Sequence, residues 1–318
     1  MRRWFLRKFV WLIAVLFLTT AGAQVFVALL PGDPAVVIAG MSGSQAAVDA
    51  TRRQLGLDRP LPERYVDWVG KVARGDLGRS RRFSAPVSDL LRQRFGRSVQ
   101  VLIGAQIIAI GMALVLGTWA GWRSGGNLDR IISAGAFTAL AVPPFAMGAV
   151  LILLFGVRLR WLPPLGYESV IGSPFQGLRH LLLPCLTLGL PIGAIYTRTL
   201  RSDVAAAAGQ DHVVLARANG LSTPRILLRH VLRQCSLGML TQIGLNLPWM
   251  FSFLVVVERL FNLFGAGELV QEAVTNREFL VLQTTILVFA AIYVVVTLAL
   301  DALHHVADPR LRRVPVDS

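Results

Sequence analysis

Arg225, Arg229 and Arg233 recur at four-residue intervals, so a helix would align three guanidinium groups along one face. Like charges stacked in this way repel one another in isolation. They invite anionic headgroups, acidic groups on another protein, or the carbonyl ends of helices. Just upstream, Leu215, Ala216, Ala218 and Asn219 are mostly small or apolar. Short side chains let two backbones approach closely, so this segment can seat in a groove of a partner. Snorkelling of the arginines at a membrane surface is the plainer account of the same stripe.

Other chemistries lack their residues. A phosphate-binding loop needs a lysine followed by Ser or Thr after a glycine-bounded run. The only lysines are Lys8, followed by Phe9, and Lys71, followed by Val72. No HExxH, GxSxG or CxxC occurs, and the GAG at 265–267 lacks the third glycine of a dinucleotide fingerprint. Cys185 and Cys235 have neither metal-ligand spacing nor partner histidines and read as small buried residues. The expectation is a chain without catalytic residues, metal or cofactor of its own.

The elements that position the arginines are legible in DHVVLARANGLSTPRILLRH, residues 211–230. Gly220 can adopt a positive φ and close one helix. Ser222 or Thr223 can cap the next, and Pro224 suits its first turn, where no N–H is needed. The pattern predicts a rigid two-helix corner.

That corner sits in an oily chain. The 318 residues are 54% hydrophobic, with a mean hydropathy of +0.58, too high for an ordinary soluble domain. About twenty apolar residues cross a bilayer. Six segments qualify, near 9–30, 98–122, 131–157, 181–200, 237–257 and 279–301, none with Lys, Arg, Asp or Glu before its ends. The fold class is therefore an all-α polytopic membrane protein. An N-terminal signal peptide, RRWFLRK to AGA at 21–23, is the rival for the first span. The apolar run resumes after Gln24 to full span length, which favours an uncleaved helix. Pro143–Pro144, Pro191 and Pro248 would bend three spans. The GxxxG pairs Gly117/Gly121 and Gly189/Gly193 read as close helix packing.

The net charge of +14 is almost all arginine. Nucleic-acid binding is one account; membrane topology is the better one. Basic residues near span ends concentrate on the cytoplasmic side. With both termini inside, the inner segments hold Arg2, Arg3, Arg7, Lys8, Arg123, Arg130, the hairpin arginines, Arg310, Arg312 and Arg313. The short outer loops hold fewer, and the long loop at about 31–97 translocates largely regardless of charge. This organises the chain as a first span plus a small outer segment, 1–97, and a transmembrane domain, 98–318, carrying the hairpin at about 203–235. Proton-coupled carriers and intramembrane hydrolases usually place ionisable groups at depth. Their absence from these cores suits a passage powered from elsewhere.

Several ordered motifs carry a resemblance. DHVVLARANGLSTPRILLRHVLRQ at 211–234, LLPGDPA at 29–35, LGLDRPLPERY at 55–65, GDLGRS at 75–80, VVVERLFNLFGAGELVQEAVTNREFLVLQ at 255–283 and DPRLR at 308–312 resemble permease subunits of ATP-binding-cassette importers of the dipeptide/oligopeptide/nickel group. One departure stands out: the general permease motif begins Glu-Ala-Ala, and Val214, Leu215 and Ala216 hold those places. The resemblance implies a non-catalytic subunit forming the pathway for peptides or related small solutes, in a bacterial inner membrane. It implies a second similar permease, two ATPase subunits or domains that bind ATP and Mg, an extracytoplasmic binding protein, surrounding lipid and no nucleic acid. Asp211, Leu215, Ala216, Arg217, Ala218, Asn219, Gly220, Arg225 and Arg229 would couple it to the ATPase. The rival is a secondary transporter or channel without an ATPase partner.

Overall fold

The computed structural model describes residues 2–29, 35–36, 44–54 and 56–307. The DPRLR stretch at 308–312 and residues 30–34 of the LLPGDPA stretch lie outside the described residues. The described chain is helical: α1 (Arg2–Leu29), α2 (Gln45–Gln54), α3 (Leu61–Ala73), α4 (Val87–Trp122), α5 (Asn127–Ala141), α6 (Pro144–Arg158), α7 (Pro174–Ala208), α8 (Asp211–Ala218), α9 (Thr223–Leu260), α10 (Ala266–Thr275) and α11 (Phe279–Ala307). Apart from an isolated bridge between Arg79 and Pro86, no strand pairing occurs among the described residues.

Helices α4, α7, α9 and α11 are each long and apolar enough to cross a membrane. Within α1 the described apolar stretch is Val10–Phe26. The third expected span is not one helix: α5 and α6 meet at 105°. The cause is local. Val142 and Pro143 each precede a proline, which excludes the helical region, and both are extended, with ψ of 122° and 143°. Pro144 then opens α6, where its missing N–H costs nothing. Pro191 and Pro248 instead sit inside the continuous helices α7 and α9.

The chain divides into two compact units. The first comprises residues 1–96 and 265–294. Its core is Val87, Leu90, Leu91, Leu269, Ala273, Val281 and Leu282. Here α3 lies on α1: Tyr65 meets Thr20 Oγ1 at 2.7 Å, and its ring stacks edge-on to Phe17. The loop after α3 is pinned to the start of α11. Glu278 Oε1 accepts the backbone N–H groups of Arg81 (3.2 Å) and Arg82 (2.9 Å). Gly78 takes φ +74°, and a Cβ there would collide with Leu280 Cδ2.

The second unit comprises residues 97–264 and 295–318. Its hub is α7, which packs against α4, α5, α6 and α9. Of α7's apolar window 61% is buried, against 22% for α4 and α9 and 11% for α11. The two GxxxG pairs prove to be halves of one α4–α7 interface. A Cβ on Gly117 would sit 2.9 Å from the Thr197 carbonyl, and one on Gly121 2.6 Å from that of Arg201. From the other side, a Cβ on Gly189 would sit 2.8 Å from the Ala105 carbonyl and one on Gly193 3.2 Å from Ala109 Cα. Cys185 joins this seam beside Gly104, and both cysteines are free and buried, as small packing residues should be.

A bidentate ion pair locks α5 to α7. Arg201 Nε and Nη2 donate to Asp129 at 2.5 and 2.7 Å. Asp129 also accepts the Gly125 N–H (2.8 Å) and the Ser133 hydroxyl (3.3 Å). Asp129 is buried, so its charge is held only by these partners. Breaking a fully buried pair costs about 3–5 kcal/mol. The Arg201 side chain is 35% exposed, so water recovers part of that. Asp129→Asn is expected to cost about 2–3 kcal/mol, read as a lowered Tm of the purified chain. An unchanged Tm would show that the pair contributes nothing net.

Candidate coupling hairpin

Between α7 and α9 the chain builds a tight corner from its own sequence. Helix α8 ends at Ala218, and Asn219 is its C-cap. Gly220 follows at φ +76°, a conformation that costs glycine nothing and other residues a steric clash. The Gly220 N–H donates to the Arg217 carbonyl (3.0 Å) and the Leu221 N–H to the Ala216 carbonyl (3.2 Å). These are the two bonds of a Schellman closure, which satisfies carbonyls a helix end leaves open. Ser222 is the N-cap of the next helix, with ψ 145°, and Pro224 lies in its first turn. The cap works through the backbone, the Ser222 carbonyl accepting the Ile226 N–H (3.0 Å), and not through the expected hydroxyl bond.

The second helix of the hairpin is not separate. It is the first stretch of α9, which runs unbroken from the corner into a span. Leu227–Val231 form a wide turn with i→i+5 bonding. In a regular helix a four-residue step overshoots a full turn by about 40°. A wider turn removes part of that overshoot, so the arginine stripe runs straighter. Arg225, Arg229 and Arg233 are all exposed.

Packing sorts the first helix into two faces. Val213 and Ala216 are buried, as are Ile226, Val231 and Cys235 along α9. Ala216 therefore points into the protein and cannot present itself to a groove, contrary to the expectation from its size. Asp211, Leu215, Arg217, Ala218, Asn219 and Gly220 are exposed. Sequence reasoning missed two exposed apolar residues of the hairpin, Val214 at 58% and Leu228 at 70%, beside the expected Leu215 at 62% exposure. The signal was there: Val213 and Ala216 are three apart, so one face of α8 had to turn inward. A second missed contact is Trp122, whose ring lies 5.0 Å from the Arg217 guanidinium carbon. This cation–π contact ties α8 to the end of α4 and turns Arg217 from an unattached charge into a brace.

The site is thus a firm, exposed knob with apolar residues at its front and arginines along its flank. Nothing in it can break a bond. Among the described residues no three His, Cys, Asp or Glu side chains converge on a metal-binding position. Its second helix continues without a break into the long apolar helix α9.

These features define a class: a multi-pass, all-α membrane protein with an exposed helical corner between two long apolar helices. The comparisons with known proteins give the family. Residues 113–313 match the "binding-protein-dependent transport system inner membrane component" family and residues 1–102 the N-terminal model of the same kind of component. The chain is 34% identical to a probable peptide ABC transporter permease protein of Sinorhizobium fredii over 307 residues, 96% of this chain and 98% of the other. It is 32% identical to the glutathione transport system permease protein of Escherichia coli (strain K12) over 313 residues, 98% and 99% of the two chains. The chain belongs to the binding-protein-dependent transport system inner membrane component family. It is the permease subunit of an ATP-binding-cassette importer, and not a secondary transporter or channel. ATP hydrolysis belongs to separate subunits, and the permease works with these and with a substrate-binding component.

Proposed function

We propose that this permease carries peptides or peptide-like solutes and that residues 211–233 plug into the ATPase. The substrate class is supported by the relatives, one described as a peptide permease and one as a glutathione permease. The single observation that carries the coupling role is the exposed corner at Gly220, joined without a break to the span α9. Val214, Leu215 and Ala218 would enter a groove on the motor. Arg225, Arg229 and Arg233 would face acidic groups beside it or lipid headgroups at the membrane surface. A second, homologous permease completes the pathway, and two ATPase subunits or domains hold ATP and Mg. Closure of the motors pushes both hairpins and switches the pathway between inward- and outward-facing. Both termini and the hairpin lie in the cytoplasm, and the segment between α1 and α4 faces outward.

Cysteine labelling tests orientation and docking together. In a chain with Cys185 and Cys235 replaced by Ala, Asp58→Cys is expected to react with an impermeant thiol reagent outside intact cells. Ser222→Cys reacts only after the membrane is opened, and Leu215→Cys loses its reactivity when the ATPase subunits are bound. The reverse labelling pattern would sink the topology. Undiminished labelling of Leu215→Cys in the full complex would sink the docking. Uptake of a labelled tripeptide by vesicles holding the whole complex and its binding protein then tests the substrate class.

A further inference from the structure

An amide side chain inside a membrane span needs a partner, because lipid offers none. Four of these side chains find one on another segment. Gln283 Nε2 donates to Gln24 Oε1 (3.0 Å), Gln100 Nε2 to the Tyr167 hydroxyl (3.2 Å), and the Tyr196 hydroxyl to Gln106 Oε1 (3.2 Å). Gln242 and Asn246, near the middle of α9, bond only each other. Asn246 Nδ2 donates to the Gln242 carbonyl (2.8 Å) and to Gln242 Oε1 (3.3 Å). The Gln242 Nε2 hydrogens and the Asn246 Oδ1 lone pairs are left without a partner among the described residues. Neither atom is closed off from the surface.

The two amides belong to a longer strip. Gln242, Asn246, Trp249 and Phe253 follow at steps of four, three and four, which is one face of a helix, and all four are half-buried. The Trp249 indole N–H is also open and without an acceptor among the described residues. Its ring stacks on Phe253 with centroids 4.3 Å apart. Beside this face Thr241, Pro248 and Ser252 are exposed, with Leu245 among them. Proline has no N–H, so the Gly244 carbonyl loses the donor that residue 248 would supply. From Thr241 to Ser252 the strip runs about 16 Å, half the thickness of the hydrocarbon core. No charged residue occurs between 234 and 257. Helix α4 differs: it turns Ile103, Ile107, Leu114 and Val115 outward, the surface that suits lipid.

We infer that this face of α9 lines the solute pathway, and that Gln242, Asn246 and the Trp249 N–H form an uncharged strip for the amide groups of a peptide. The solute rests on the peptide reading above; the wetted face does not. A carboxamide both donates and accepts, as a peptide group does, so the match holds for any peptide sequence. Without a charge the strip holds its solute weakly, and a pathway must release what it receives. Against lipid these open donors and acceptors would go unmet. One or two amides suffice to fasten a helix to a neighbour. A strip of this length, with aromatic rings beside it, fits a wall facing water.

The test labels single cysteines in the full complex in nanodiscs, with Cys185 and Cys235 replaced by Ala, using a small charged thiosulfonate that attacks thiolates in water. During turnover with binding protein, tripeptide and ATP, Asn246→Cys and Ser252→Cys are expected to react roughly tenfold or more faster than Ile107→Cys on α4. Ser252→Cys barely changes size, so it carries the comparison where Asn246→Cys fails to assemble. Rates no faster than that of Ile107→Cys overturn the pathway face. Cross-linking of these cysteines to the second permease without labelling overturns it in favour of a helix contact. Gln242→Leu and Asn246→Leu should each lower the maximal rate of labelled tripeptide uptake, per assembled complex, by roughly threefold or more. The half-saturating concentration, set by the external binding protein, should stay the same. Unchanged maximal rates overturn the amide strip. A parent complex that carries no tripeptide refutes the peptide reading and the solute assigned to the strip, while the labelling rates still decide the face.

Discussion

Replacing Gly220 with valine is expected to cut ATP-dependent uptake roughly 5–30-fold while membrane abundance stays within about twofold. Gly220 has no other atom within 4 Å of where a Cβ would stand. The new side chain therefore meets open space, and the whole penalty comes from the backbone at φ +76°. For a β-branched residue that penalty is about 1–2 kcal/mol. It is small against the packing of the spans, so the chain should still insert. It is large for a corner held by two hydrogen bonds, because losing the Schellman closure re-aims Val214, Leu215 and Ala218. Gly220→Asn should be milder, since asparagine accepts a left-handed backbone more readily. Uptake by reconstituted vesicles, set against immunoblots of the membrane fraction, separates the outcomes. Valine that leaves transport intact at normal abundance would refute the role of the corner. So would valine and asparagine that lower transport equally and only through abundance.

Gly121→Ala and Gly189→Ala are expected to be strongly destructive single-methyl changes at the α4–α7 seam. Each new Cβ would meet backbone, the Arg201 carbonyl at 2.6 Å and the Ala105 carbonyl at 2.8 Å, and a backbone cannot rotate aside as a side chain can. Overpacking costs about 1–3 kcal/mol, and these sites belong near the upper end. Between membrane helices no hydrophobic drive compensates; close van der Waals contact is itself the attraction. Both variants should show a clearly lower Tm in detergent and reduced abundance. Gly111→Ala, on the same helix α4 but with nothing within 4 Å of its Cβ, should match the parent. A Tm as high for Gly121→Ala or Gly189→Ala as for Gly111→Ala would show that the seam can slide apart at no cost.

The helical, membrane-crossing character was legible because an uncharged apolar run of span length is too long for a core strand and too oily for a surface helix. The hairpin corner was legible because glycine, cap and proline each report a backbone angle. The GxxxG pairs announced close packing, but nothing in one chain of letters could show that Gly117/Gly121 and Gly189/Gly193 face each other across a single seam. Ala216 was misplaced for a similar reason: its size is right for docking, and only its neighbours decide which way it points. The bend between α5 and α6 was half legible. Pro143 and Pro144 marked a break, yet a run of apolar residues looks the same straight or folded.

The central place of α7 has a consequence for how the protein is made. Of its main packing partners among the described residues, α4, α5 and α6 precede it in the chain and α9 follows. Of the four long spans it is the least apolar and the most buried. A ribosome therefore releases the segment least suited to bare lipid after most of its cradle has been synthesised. Order of synthesis here does part of what raw hydrophobicity does for α4 and α11. A circularly permuted chain beginning at α7 would present that helix to the bilayer with no neighbour waiting.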